Sequence, residues 1–238
     1  MDTKKHTDKA PGEAAPRLNP TSSANMRILV IGGTRGIGRE TVRLALERGH
    51  TVTTMARRPE RLKLTHPALV TIQGDILDAV AVRDAIANQD AIVIAIGMGL
   101  TRQPVSLFSH GTENVLDVMQ AASISRLVAV TGMGAGETRE HGGFFYDRIF
   151  RPLALQTVYD DKDRQEALIK ERGNSFPLDW TIARPGILGN GPAKHRYRVI
   201  TDLTGIYGGK IARSDVAHFI VAALESGSHV GETPLLIN

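Results

Sequence analysis

Short continuous apolar runs alternate along this chain with longer stretches whose apolar positions recur every three or four residues. Ile28-Leu29-Val30-Ile31 is the first run, and an unbroken run predicts a parallel strand buried on both faces. Residues 39–48 then carry Val42, Leu44, Ala45 and Leu46 on an amphipathic helix that Gly49 stops. The same pattern predicts strands over 51–56, 69–72, 91–96, 126–131, 178–183 and 235–238, with a small extra strand at 196–200. Helices are predicted over 80–87, 111–122, 161–172 and 213–225, the last with Ser214 as its cap. The stretch 137–159 reads as irregular, with one short helix over 145–155. Strands alternating with helices imply right-handed crossovers, hence an α/β fold with a doubly wound parallel sheet of about seven strands.

Residues 1–25 break the pattern. They hold Pro11, Pro16 and Pro20 among Ser and Thr, with Leu18 the sole large aliphatic side chain after Met1. A segment of this kind buries too little apolar area to offset its ordering entropy, so 1–25 is expected to be a disordered tail. It lacks the apolar core of a secretory signal. Met26, just before the first strand, is then expected to mark the start of a single folded domain over 26–238.

Composition narrows the chemistry. A chain of 238 residues, 42% hydrophobic and 23% charged, suits one globular α/β domain. It has no cysteine, which excludes disulfides, thiolate catalysis and cysteine metal sites and fits a reducing cytoplasm. The net charge of +4 is spread among 25 acidic residues without a basic stripe, so no nucleic-acid partner is expected. No apolar run approaches the ~20 residues of a membrane span. The eight histidines show no metal-ligand spacing, and no metal is expected. His110 and His218 read as capping or packing residues, and Met98, Met119 and Met133 as packing.

Chemistry concentrates where the first strand ends. Gly32, Gly36 and Gly38, with Thr34, Arg35 and Ile37 between them, lead straight into a helix. Glycines there let the backbone turn tightly and approach a pyrophosphate, which faces the free N–H groups of the helix. The strand–loop–helix context gives the motif its meaning, a dinucleotide site. Gly33 to Gly38 also fits the start of a triphosphatase loop, but Arg39 and Glu40 stand where that loop needs lysine and a hydroxyl. The other glycine-rich strand ends, at 74, 97–99, 132–136 and 186, fall at the same edge of the sheet, where a ligand crevice is expected.

The second strand ends in Arg57 and Arg58 rather than the acidic residue that holds the ribose hydroxyls of NAD. Guanidinium groups pair with a 2′-phosphate through two charge-assisted hydrogen bonds, so the expected cofactor is NADP(H). Arg35 approaches the same phosphate from the loop, and Arg61 is a third candidate. A solvated basic edge is the alternative for these arginines.

The motifs Gly32-Gly33-Thr34-Arg35-Gly36-Ile37-Gly38, Gly74-Asp75-Ile76-Leu77, Ser109-His110-Gly111-Thr112-Glu113-Asn114-Val115 and Trp180-Thr181-Ile182-Ala183-Arg184-Pro185-Gly186 resemble the atypical short-chain dehydrogenases/reductases. Together with Arg57 and Thr131 they resemble the NAD(P)H-binding group that includes biliverdin reductase B (flavin reductase), over about residues 26–238. The resemblance implies one Rossmann-type domain with Asp75 and Ile76 flanking the adenine. It implies Ala95, Ile96 and Gly97 along the cofactor, and Pro185 and Ile187 near the nicotinamide. The main branch of that family uses a Tyr-x-x-x-Lys pair with a strand-end Ser or Thr. Here Tyr159-Asp160-Asp161-Lys162 is one residue shorter and Val158 stands in the tyrosine's place, while Gly132 stands where the biliverdin reductase B group has a serine after the threonine that Thr131 resembles.

Residues three apart on a helix share a face, so Tyr159 and Lys162 remain a candidate pair, with Thr131 the third catalytic candidate. Lys162 is also a candidate for the nicotinamide ribose. Phe144, Phe145 and Tyr146, with Arg148 and Arg151, would bind an aromatic acidic substrate or form a hydrophobic lid. The expected function is NADPH-dependent hydride transfer to a small-molecule acceptor: a flavin, quinone, tetrapyrrole or other conjugated carbonyl-like compound. The alternative is a non-catalytic NADP(H)-binding sensor of the same fold.

Overall fold

The computed structural model describes residues 12–16, 25–99, 101–139, 141 and 155–238. In chain order it builds β1 (Glu13–Ala14), β2 (Arg27–Ile31), α1 (Gly36–Glu47), β3 (Thr51–Ala56), β4 (Leu69–Gln73), α2 (Ala79–Ile86), β5 (Ala91–Ile94) and α3 (Leu107–Ala121). Then follow β6 (Arg126–Val130), α4 (Gln156–Ser175), β7 (Asp179–Pro185), β8 (Ile187–Gly189), β9 (Arg198–Ile200), β10 (Lys210–Ala212), α5 (Arg213–Ser226) and β11 (Leu235–Ile237).

The main sheet runs β1-β9-β11-β7-β6-β5-β2-β3-β4. Its parallel part, from β4 to β11, consists of the seven strands that the apolar runs predict. β9 pairs antiparallel with β11, and β1 antiparallel with β9. β9 is the small extra strand expected over 196–200, and the count rises to nine with β1, whose two residues are too few for a periodicity signal. β8 and β10 form a separate parallel pair beyond the end of β7.

The strands' continuous apolar runs serve two cores at once. Ile28 and Val30 of β2 face one core with Val42, Leu46 and the α5 residues Phe219 and Ile220. Leu29 and Ile31 face the other, with Ile86 of α2, Leu116 of α3 and Ile169 of α4. Helices therefore cover both faces, as a doubly wound sheet requires. From β2 the chain steps outward to β3 and β4, then returns to place β5 on the other side of β2. That reversal leaves a crevice beyond the carboxyl ends of β2 and β5. Among the described residues no helix is long and apolar enough to cross a membrane.

Several expectations are corrected. The stretch 1–25 is not uniformly a disordered tail, because Glu13 pairs with Val199 and Ala14 with Arg198; residues 1–11 and 17–24 lie outside the described residues. α3 starts at Leu107 rather than 111, so His110 lies inside it. Its first turn is held by Asp161, which accepts from the Phe108 N–H (2.7 Å) and the Ser109 hydroxyl (2.5 Å). α4 starts at Gln156 rather than 161, with Asp160 paired to Arg139 at 2.8 Å. Ser214 does not cap α5; Ala212 takes that position, and the Ser214 hydroxyl donates to the Gly191 carbonyl. The short helix expected over 145–155, apart from its last residue, and the group Phe144, Phe145, Tyr146, Arg148 and Arg151 fall outside the described residues.

Candidate functional site

The crevice is a cleft of about 1050 Å³. Its floor is the glycine loop. Gly32 has φ +94°, and a β-carbon there would lie 2.7 Å from the Ala95 carbonyl oxygen. One on Gly38 would lie 2.4 Å from the Gly32 carbonyl oxygen, so Gly38 works behind the loop, letting α1 pack against the end of β2. Gly38 is accordingly not among the residues that line the cleft, whereas Gly32, Thr34, Arg35, Gly36 and Ile37 are.

Gly36 is the opposite case. A β-carbon there would meet nothing nearer than the Arg213 side chain at 3.8 Å, so the space before it is open. α1 begins there with no side-chain cap and no acidic residue in its first turn. α2, by contrast, is capped by Asp78, which accepts from the N–H groups of Val80 and Ala81. An uncapped helix start facing open space carries unsatisfied N–H groups and a partial positive charge, which suits a phosphate. The loop thus fits the diphosphate of a dinucleotide.

At one end of the cleft stand Arg57 and Arg58, exposed beyond β3, with Arg61 beside them. Arg35 reaches across the opening and donates to the Gly97 carbonyl at 3.2 Å. Asp75 and Ile76 line this end, and the Asp75 carboxylate also accepts from the Leu77 N–H, so it is a turn former as well. Asn114 of α3 donates to the Ile76 carbonyl at 3.0 Å. A β-carbon on Gly111 would come within 2.7 Å of the Ile76 side chain. The 109–115 motif therefore positions the Ile76 wall of the cleft from behind. Ala95, Ile96 and Gly97 line the middle of the cleft.

The other end is formed by Thr131, Lys162 and Pro185. The Thr131 hydroxyl donates to Glu166 Oε1 at 2.6 Å, so its proton points away from the cleft. Glu166 is buried with Arg184, whose Nε donates to Glu166 Oε1 at 3.1 Å and whose other nitrogen binds Glu166 and Glu137. Lys162 Nζ donates to the Thr131 carbonyl at 2.8 Å and stands 4.4 Å from the centre of the Phe108 ring. Burial lowers its pKa to about 8, against the pull of Glu166 and Asp161.

Tyr159 and Ile187 do not line this cleft. They belong to a smaller adjoining cavity of about 230 Å³, which shares Thr131, Pro185 and Leu188 with it. Gly132 has φ +149°, and a β-carbon there would lie 3.2 Å from the Tyr159 hydroxyl. A side chain after Thr131 would thus crowd the Tyr159 hydroxyl.

Met98 lines the cleft, while Met119 is core and Met133 lines the smaller cavity. His218 is buried, 2.8 Å from the Tyr197 hydroxyl, and burial lowers its pKa to about 4, as a packing residue requires. Sequence reasoning missed Phe108, Leu188 and Arg213 as lining residues. Their signal is tertiary, since each comes from an element far from the glycine loop.

A model of the family described as NAD(P)H-binding matches residues 32–227. A 3-beta-hydroxysteroid dehydrogenase from Mycolicibacterium neoaurum is 34% identical over 191 residues, covering 73% of this chain and 51% of that protein. A (4-alkanoyl-5-oxo-2,5-dihydrofuran-3-yl)methyl phosphate reductase from Streptomyces griseus is 27% identical over 213 residues, 86% of this chain and 65% of that protein. The chain spans about half the length of the hydroxysteroid dehydrogenases it matches. Among solved structures, ChuY, an anaerobillin reductase from Escherichia coli O157:H7, superposes with a TM-score of 0.71 at 24% identity. That match covers 89% of this chain and 96% of ChuY, and it identifies the fold.

Proposed function

We propose that this chain, which belongs to the NAD(P)H-binding family, is an NADPH-dependent reductase of a small conjugated acceptor such as a flavin, quinone, tetrapyrrole or related carbonyl-like compound. The observation that carries the reading is the adjoining cavity. It meets the dinucleotide cleft at Thr131 and Pro185, the place a second reactant needs. When bound, reduced nicotinamide supplies a hydride, and the chain's part is to orient the two reactants and exclude water. Thr131, held by Glu166, offers its oxygen as an acceptor. Lys162 supplies positive charge and a proton beside the cleft, and Tyr159 presents its ring and hydroxyl to the acceptor cavity. The dehydrogenases and reductases among the relatives support this class of reaction.

Arg57 and Arg58 support NADP(H) over NAD(H). The expected preference is at least about tenfold, the worth of one charge-assisted pair. It is tested by following NADPH and NADH oxidation with a panel of flavins, quinones and enones. Arg57→Ala should erase the preference, and an unchanged ratio would sink the NADP assignment. Tight NADPH binding without oxidation by any member of the panel would favour the sensor. The specific observation on the sensor's side is that the Thr131 hydroxyl already spends its hydrogen bond on Glu166.

The Lys162 ammonium loses its proton near pH 8. The protonated form is the donor, so turnover at saturating NADPH and acceptor is expected to fall as the pH rises through about 8. Lys162→Met should flatten that limb. A wild-type rate with no inflection in this region would remove Lys162 from the reaction.

A further inference from the structure

We infer that Arg213 clamps the diphosphate bridge of the bound dinucleotide against the N-terminus of α1, so that it holds the part common to NADPH and NADH. The inference rests on the dinucleotide reading of the cleft. Arg213 opens α5, far along the chain from the glycine loop, yet it lines the same cleft. Its Nε and Cδ lie 3.8 and 3.9 Å from where a β-carbon on Gly36 would stand. The guanidinium is fixed in place, because Nη1 donates to the Gly189 carbonyl (3.2 Å) and to Asn190 Oδ1 (2.7 Å).

Both partners are neutral oxygens, and among the described residues Arg213 forms no ion pair. Its Nε and Nη2 hydrogens have no acceptor among those residues. A guanidinium therefore faces the positive end of a helix, and the first turn of that helix holds no carboxylate. Two positive poles side by side repel unless an anion lies between them. The open space before Gly36 is the place for that anion, and a diphosphate oxygen there would accept from Arg213 on one side and helix N–H groups on the other. Arg57 and Arg58 lie beyond β3, on another element, so the two arginine sets engage different phosphates.

The test compares wild type, Arg213→Ala and Arg213→Lys by titration with NADPH, NADH and adenosine 2′-monophosphate. The last carries the 2′-phosphate but no diphosphate. Arg213→Ala is expected to weaken NADPH and NADH alike, by roughly ten- to a hundredfold, and to leave adenosine 2′-monophosphate binding unchanged. Arg213→Lys keeps the charge and should recover part of the loss. Equal weakening of all three ligands, or unaltered NADPH affinity in Arg213→Ala, would overturn the clamp. A wild-type protein that binds neither dinucleotide would overturn the reading of the cleft, a result distinct from binding that ignores Arg213.

Discussion

Gly36→Asp is expected to abolish NADPH binding, by about a thousandfold or more, in a chain that still folds. A thousandfold is about 4 kcal/mol, and two effects supply it. The new carboxylate occupies the open space before α1, where it takes the unsatisfied N–H groups and pairs with Arg213, whose Nε lies 3.8 Å from the new β-carbon, imitating the phosphate it excludes. It also repels whatever phosphate still approaches. Folding survives because no backbone atom lies near that β-carbon, and aspartate tolerates φ +58° better than most side chains. Gly38 would be a poor probe, since its β-carbon would collide with Gly32 and lose the fold together with the site. Fluorescence titration with NADPH beside a thermal melt separates the two outcomes. Binding within about tenfold of wild type, on a folded variant, would reject the glycine loop as the diphosphate cradle.

Glu166→Ala is expected to cost about 3 kcal/mol of stability and to lower Tm by roughly 6–12 °C. Arg184 is 1% exposed and Glu166 2%, so the substitution leaves a guanidinium in the interior with only Glu137 to balance it. It also frees the Thr131 hydroxyl, whose 2.6 Å bond to Glu166 sets its direction in the cleft. Glu137 lies 59% exposed on its side chain and remains ionised, because hydrogen bonds from Lys170 and Arg184 outweigh the effect of partial burial and bring its pKa to about 2. Its help keeps the loss at the lower end of what a broken buried pair costs. Glu166→Gln keeps the volume and the acceptor oxygen and should lose about half as much. A drop under about 1 kcal/mol for Glu166→Ala would show that Glu137 alone satisfies Arg184.

The parallel sheet was legible because its evidence is local: the central strands β2, β5 and β6 are apolar runs buried on both faces, and the outer β3 is marked by its β-branched residues. The glycine loop was legible for the same reason, with its strand, turn and helix contiguous in the chain. What stayed hidden is tertiary. The start of α3 depends on Asp161, which reaches its Phe108 N–H from a helix more than fifty residues on. In the sequence, Asp160-Asp161 reads as the start of α4 rather than as a cap for another helix. Arg213 looks like an ordinary first residue of α5, and only the packing of α5 on α1 brings it over Gly36. Tyr159 was placed beside Lys162 by helical spacing, but the two side chains line different cavities. β8 and β10, three residues each, are too short to leave a period.

The two-residue strand β1 covers β9, whose Val199 and Ile200 are each 2% exposed. Gly12 lies so close that a β-carbon there would stand 2.6 Å from Ile200 Cγ1. Without β1, β9 would present a row of unpaired N–H and C=O groups, a template on which a second chain can dock edge to edge. A protein shortened to begin at Met26, the start that the apolar pattern suggests, would keep its cleft and lose this guard. Loss of β1 is thus expected to be felt as self-association in a concentrated solution rather than as a change in a rate.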